Sequence, residues 1–269
     1  MRSSSGTAYQ LTGPVDAPVL VLIHGLGLNR QVWEAYVEAL AVQYRVLDYD
    51  LYGHGETVPL PRNPDLSLFA EQLVELLDEL GIERAVLVGF SLGGMINRRV
   101  AMDYPERVSA LVILNSPHER GDAAQRQVEQ RAMDSAAGGP GATLNATIER
   151  WFTEPFRHQQ IDFIQRVRGW VLANNHEDYA LCRQVLAFGV VELIRPEPPI
   201  RHPALVMTCE NDSGSSPAMS RAIASEIEGA EVIIVPVLQH MGLSEKPSIF
   251  INALTGFMEQ LTNSRRIVP

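Results

Sequence analysis

The residues best placed to do chemistry begin with Gly89-Phe90-Ser91-Leu92-Gly93, a G-x-S-x-G pattern that closes an apolar run and opens a helical one. The flanking glycines let backbones approach closely in a sharp strand-to-helix turn, which holds the serine strained and exposed at the edge of a sheet. The helix N-terminus adds free N–H groups where charge develops during acyl transfer. A serine hydroxyl is a weak nucleophile until a base takes its proton, and the base needs an acid to fix its tautomer and stabilise its cation. The chemistry expected is attack of Ser91 on an acyl carbon.

The base and acid are sought downstream. Of seven histidines, His240 lies in a post-strand loop near the C-terminus, Pro236–Gly242, and is the expected base. The expected acid is Asp212 in the loop Cys209–Gly214. Glu210 is the alternative; Asp212 is favoured because it sits farther into the loop, before the next helix. Two N–H donors are required for the oxyanion of the tetrahedral intermediate. Leu92, directly after the nucleophile, supplies one, and Leu26 of His24-Gly25-Leu26-Gly27 the other. His24 and His54 read as side chains that order backbone near the site, and His24, Gly25 and Met241 are also carried as candidate substrate contacts. For His118, His158, His176 and His202 a surface or substrate-contacting role is the default.

These positions need a scaffold. Short bursts rich in Val, Ile and Leu recur at 19–23, 45–49, 85–90, 108–114, 204–208 and 232–235. Their near-continuous apolarity predicts strands buried on both faces of a parallel sheet. Helical patterns at 66–80, 92–104, 217–228 and 247–261 are bounded by Gly81, Pro105, Gly229 and an opening proline. The alternation predicts an α/β fold, a mostly parallel sheet flanked by helices. Between Asn115 and Pro203 the strand bursts stop, helical segments take over, and Ala136–Gly141 reads as a loop. The organisation expected is one structural domain with a core of residues 1–116 and 200–269 and a helical insertion at 117–199.

With 46% hydrophobic and 20% charged residues the chain can bury a sizeable core. A net charge of −10 without a basic cluster argues against nucleic acid. No apolar run approaches a membrane span, and Met1–Thr7 leads into no signal-type stretch. Two cysteines, Cys182 and Cys209, are too few for a disulfide framework and suggest no zinc spacing. The expectation is a cytoplasmic protein acting on a small molecule, with no metal, no cofactor and no membrane partner; a homodimer is left open.

The His24-Gly25 loop, Asp50–Gly55, the serine turn, Tyr104-Pro105-Glu106-Arg107-Val108 and the Asp212 and His240 loops together resemble the α/β-hydrolase superfamily over nearly the whole chain. Arg150-Trp151-Phe152-Thr153, Tyr179-Ala180-Leu181-Cys182 and the continuation Gly94-Met95-Ile96 resemble the 3-oxoadipate enol-lactonases in particular. The resemblance implies a helical cap over the site and a small carboxylate-bearing lactone or ester, cleaved by a serine hydrolase through an acyl-enzyme. Trp151 then either lines the pocket or packs cap on core. Arg150 and Arg168 are candidate partners of a substrate carboxylate, with surface arginines the plainer reading. The same triad also serves carbon–carbon hydrolases of the meta-cleavage type and amide hydrolases. A non-catalytic small-ligand receptor can retain it as well.

Overall fold

In this computed structural model, residues 1–134 and 138–267 are described. The apolar bursts form strands β2 Val19–Ile23, β3 Arg45–Tyr49, β4 Ala85–Phe90, β5 Val108–Leu114, β6 Ala204–Cys209 and β7 Glu231–Val235. Branched aliphatic side chains suit this setting because each strand of the centre packs helices on both faces. A further strand, β1 Tyr9–Thr12, pairs antiparallel with β3, Tyr9 opposite Tyr49. The sequence reading has no strand there, because four residues with one fully buried position offer no apolar run to detect.

The order across the sheet is β1-β3-β2-β4-β5-β6-β7, parallel except for β1. The chain runs from β2 outward to β3, then returns to the other side of β2 for β4. The winding reverses between β2 and β4, and in open α/β sheets ligands bind beyond the carboxyl ends of the strands at such a point. The two loops that leave it carry His24–Gly27 and Ser91.

Alternation along the strands divides the core. Val21, Ile23 and Leu87 face α2 Leu66–Glu79, α3 Leu92–Asp103 and α9 Pro217–Ser225. Leu20, Leu22 and Val88 face α1 Glu34–Leu40 and α11 Pro247–Ile267. Helix α2 begins where the Asp65 carboxylate accepts the Leu68 N–H at 2.7 Å and ends before Gly81 at φ 64°. Helix α9 stops three residues before the expected Glu228: the N–H groups of Glu226 and Ile227 turn back to Ile223 and Ala224, tightening the last turn. Helix α1, seven residues long, is too short for its periodicity to be read from sequence.

Between β5 and β6 lie α4 Asp122–Asp134, α5 Leu144–Trp151, α6 Glu154–Gln159, α7 Ile161–Leu172 and α8 His176–Phe188. Of the expected loop at 136–141, Ala136 and Ala137 lie outside the described residues. This helical segment touches the loop after β2: Asn174 Nδ2 donates to the Gly27 carbonyl at 3.1 Å, and a Cβ on Gly27 would lie 3.0 Å from the Tyr179 ring. Among the described residues no helix is long and apolar enough to cross a membrane.

Candidate active site

Ser91 leaves β4 with φ 55° and ψ −111°. A non-glycine residue in such a conformation costs roughly 1–3 kcal/mol and persists only where its surroundings hold it. Here the Ser91 N–H donates to the Leu114 carbonyl at 2.9 Å, and the Ser91 carbonyl accepts from the Gly94 N–H and the Ser116 hydroxyl, each at 3.0 Å. The glycines are required by proximity: a Cβ on Gly89 would strike the Gly93 carbonyl, and one on Gly93 would strike the carbonyl of Ile23. Helix α3 therefore starts hard against the end of β2. Behind it Arg98, fully buried, donates to the Gly94 carbonyl at 2.9 Å, to Ser116 Oγ at 3.1 Å and to the Pro117 carbonyl at 2.8 Å.

The loop after β7 brings His240 Nδ1 to 2.7 Å from Asp212 Oδ2. The imidazole packs between rings, 4.9 Å from Phe90 and 6.0 Å from Trp151. Among the described residues no hydrogen bond joins Ser91 Oγ to His240 Nε2, a link that in unliganded sites is commonly long or misaligned.

Asp212 is buried and fully bonded. Its Oδ1 accepts the N–H groups of Gly214 at 2.9 Å and Ser215 at 3.0 Å, and its Oδ2 accepts from His240 and from Asn115 Nδ2 at 2.9 Å. Burial pushes the carboxyl pKa up, but the facing His240 charge and the hydrogen bonds from His240, Asn115 and Ser215 outweigh it and hold the group below its ordinary value. Glu210 is exposed and accepts the Val237 N–H at 2.9 Å, so it braces the turn after β7 instead. Asn115 was not singled out from the sequence. It follows β5 directly at φ 46°, and a polar residue just past the carboxyl end of a central strand is the signal that could have found it.

Leu92 opens α3, so its N–H has no acceptor within the helix. The N–H of Leu26 has no hydrogen-bond partner among the described residues. Both are thus free to donate. The loop that presents Leu26 turns at Gly27, φ 75°, and is tied by the Leu28 N–H to the Gly25 carbonyl at 3.2 Å.

Two of the expected substrate contacts, His24 and Met241, have buried side chains. The His24 ring is fully buried, donating from Nδ1 to the Gly25 carbonyl at 2.8 Å and accepting the Leu51 N–H on Nε2 at 3.0 Å. Burial pulls its pKa down to about 4, so it is neutral and braces two loops against each other. The Met241 side chain is also fully buried in the core, and its N–H donates to the Trp151 carbonyl at 2.8 Å; it has no surface to offer a ligand. Gly25, buried against Phe90 and Ser91, offers backbone alone.

Trp151, at the end of α5, packs into the core cluster with its ring 6.0 Å from that of His240. Arg150 is exposed on α5; desolvation by the neighbouring protein lowers its pKa, while the Asp212 charge acts the other way. Arg168, half-buried on α7, makes no hydrogen bond or ion pair among the described residues. Among those residues no three His, Cys, Asp or Glu side chains converge as a metal site would need. A surface cleft of about 600 Å³ near Gly81, Arg84 and Arg107 lies at the amino-terminal ends of β4 and β5, away from Ser91.

The chain is similar to known proteins in sequence and in fold. A family model described as the alpha/beta hydrolase fold matches residues 18–137. The chain is 27% identical over 259 residues to the (E)-2-((N-methylformamido)methylene)succinate hydrolase of Acinetobacter baylyi, covering 96% of each. It is 30% identical over 226 residues to RutD of Klebsiella pneumoniae, assigned as a carbamate hydrolase, covering 82% of this chain and 83% of that one. Among solved structures it matches the enol-lactonase of Burkholderia xenovorans with a TM-score of 0.83 at 27% identity, over 94% and 96% of the two chains.

Proposed function

The chain belongs to the α/β-hydrolase family, and from that premise we propose that it is a serine hydrolase cleaving a small carboxylate-bearing ester or enol lactone through an acyl-enzyme. The observation that carries the reading is the 2.7 Å contact between Asp212 and His240, set beside a serine held at positive φ on the turn between β4 and α3. Ser91 Oγ attacks the carbonyl carbon as its proton passes to His240 Nε2. Asp212 keeps the other imidazole nitrogen protonated and balances the cation. The N–H groups of Leu26 and Leu92 hold the oxyanion. Collapse expels the leaving oxygen, which takes the proton from His240 and leaves the acyl group on Ser91. Water then gives a proton to His240 and attacks the acyl carbon; a second collapse frees the carboxylic acid and returns the proton to Ser91.

Residues 117–199 serve as the cap in this reading, which is supported by their contacts with Gly27 and Met241. The carboxylate-bearing substrate is supported by likeness to enol-lactonases and to a methylenesuccinate hydrolase. An acyl carbon–nitrogen bond is the second reading, favoured by the methylformamido and carbamate names of two relatives. Enol lactones, short esters, N-acyl enamines and carbamates, offered to the native protein and to Ser91→Ala, test both. Turnover confined to the native protein sustains the serine mechanism, and the better substrate chooses the bond. Equal turnover by Ser91→Ala would refute it.

A further inference from the structure

Helix α7 touches the loop after β2 at successive turns. Residues four apart lie on one face of a helix, and Arg166, Trp170 and Asn174, two residues past the helix end, keep that spacing. Arg166 pairs with Glu34 at 3.3 Å, Trp170 Nε1 donates to Gln31 Oε1 at 2.9 Å, and Asn174 Nδ2 donates to the Gly27 carbonyl at 3.1 Å. The Arg166–Glu34 pair is exposed and contributes little. Asn174 is buried.

The Asn174 amide nitrogen also donates to the Trp170 carbonyl at 2.8 Å and to the Val171 carbonyl at 2.9 Å, two of the acceptors that a helix end leaves open. Three carbonyls therefore share its two protons. Turning the amide over would set its oxygen against all three, so the nitrogen must face them. Among the described residues Oδ1 is buried without a partner, a cost to stability that an apolar side chain of the same size would avoid. Two of the three bonds close the end of α7, and the third reaches out of the helical segment to Gly27.

Gly27 belongs to the turn Gly25–Leu28, closed by the Leu28 N–H on the Gly25 carbonyl at 3.2 Å, with Gly27 at φ 75°. His24 Nδ1 holds the Gly25 carbonyl from the core side at 2.8 Å, and Asn174 holds the Gly27 carbonyl from the helical side. Leu26 lies between these fastenings with its N–H unpartnered among the described residues. A donor flanked by two glycines sits on a permissive backbone, so its direction depends on how the turn is held.

We propose that Asn174 is a positioning residue for the oxyanion site: its bond to the Gly27 carbonyl fixes the turn that aims the Leu26 N–H, and so ties that donor to the seating of α7. This rests on the hydrolase reading above and deepens it, giving the helical segment a part in the chemical step. Donors act on the rate only as far as they are already aimed where charge develops, so loss of the bond should appear in kcat and spare KM.

Diisopropyl fluorophosphate reads that step without a known substrate. Ser91 Oγ bonds to phosphorus, fluoride leaves, the hydroxyl proton passes to His240, and the phosphoryl oxygen occupies the oxyanion site. Intact mass follows the labelling. Asn174→Leu, which keeps the size and removes the donor, should slow it by about 10- to 100-fold. On 4-nitrophenyl acetate the same variant should lose kcat with KM within about twofold of native. Trp170→Phe removes another bond from α7 to the same loop, away from the turn, and should label within about twofold of the native rate. Asn174→Ala is read in the same way if the Leu variant does not fold. Labelling at the native rate without the Asn174 donor overturns the proposal, as does equal slowing by Trp170→Phe, which would mean loosened packing. A loss carried by KM overturns it too. Native protein that takes no label at Ser91 overturns the hydrolase reading itself.

Discussion

Asn115 Nδ2 donates at 2.9 Å to Oδ2 of Asp212, the oxygen that His240 Nδ1 also holds at 2.7 Å. Asn115 projects from the end of β5 and Asp212 from the loop after β6, so adjacent strands fix the carboxylate from two sides. Asn115→Ala removes a bond to a buried charge, worth about 1.5–3 kcal/mol. Turnover is expected to fall by roughly tenfold as Asp212 loses its fixed angle to His240. The Asp212 carboxyl sits below its ordinary pKa, so it contributes stability that is present above the unfolded-state value and lost as pH falls through the folded-state value. The variant should therefore unfold at a higher pH than the native protein in an acid titration followed by circular dichroism. Unchanged acid midpoint and unchanged turnover would show that Asn115 is incidental.

The two acidic residues of the loop after β6 should separate cleanly. Asp212→Asn is expected to lower kcat by about 10⁴-fold, as loss of the tautomer-fixing acid does in serine hydrolase triads. Glu210→Gln leaves the Val237 N–H an acceptor and should stay within about twofold of native activity. Steady-state kinetics on the best substrate decides, and the reverse ranking would move the acid to Glu210.

Thr153 ties the end of α5 to α10 Gly242–Glu245: its N–H donates to Glu245 Oε1 at 2.8 Å and its hydroxyl to Oε2 at 2.6 Å. Thr153→Val keeps shape and backbone but loses the hydroxyl bond to a carboxylate, a cost of about 1.5–3 kcal/mol. Because α10 follows His240 directly, KM should rise a few-fold along with a lower melting temperature. A melting shift with unaltered kinetics would limit the contact to stability.

His54 and His24 meet edge to face at 5.3 Å under the site loops, and His54 Nδ1 lies 3.0 Å from the Tyr52 carbonyl. Burial, with the charge of His24, pulls the His54 pKa down to about 3. A histidine whose folded pKa lies below its unfolded value of 6.5 binds its proton preferentially in the unfolded chain, so stability falls as pH drops from 6.5 towards 3. Asp48 works against this: burial raises it to about 6, so it takes up its proton in the folded state first. His54→Gln should flatten the decline of melting temperature between pH 6.5 and 4. A parallel decline in both proteins would place the acid sensitivity elsewhere.

The sequence by itself determined the six parallel strands of the sheet and the elements that end in Ser91, Asp212 and His240. Branched aliphatic runs can be buried on both faces only as central parallel strands, and Gly89 and Gly93 mark where backbone meets backbone. Local composition carried these because local sterics and burial impose them. What only the tertiary structure decided are relations between distant loops. Burial and hydrogen-bond partner separate Asp212 from Glu210, two residues apart, since one is buried facing His240 and the other is exposed at the turn at Val237. His24 and Met241 lie close to the site in sequence terms, and it is packing that buries both side chains. Asn115, 97 residues from Asp212, became its partner only through the adjacency of β5 and β6. Hydrogen bonds and charge act through a few ångströms of space, and the order of residues along a chain does not specify which of them will share it.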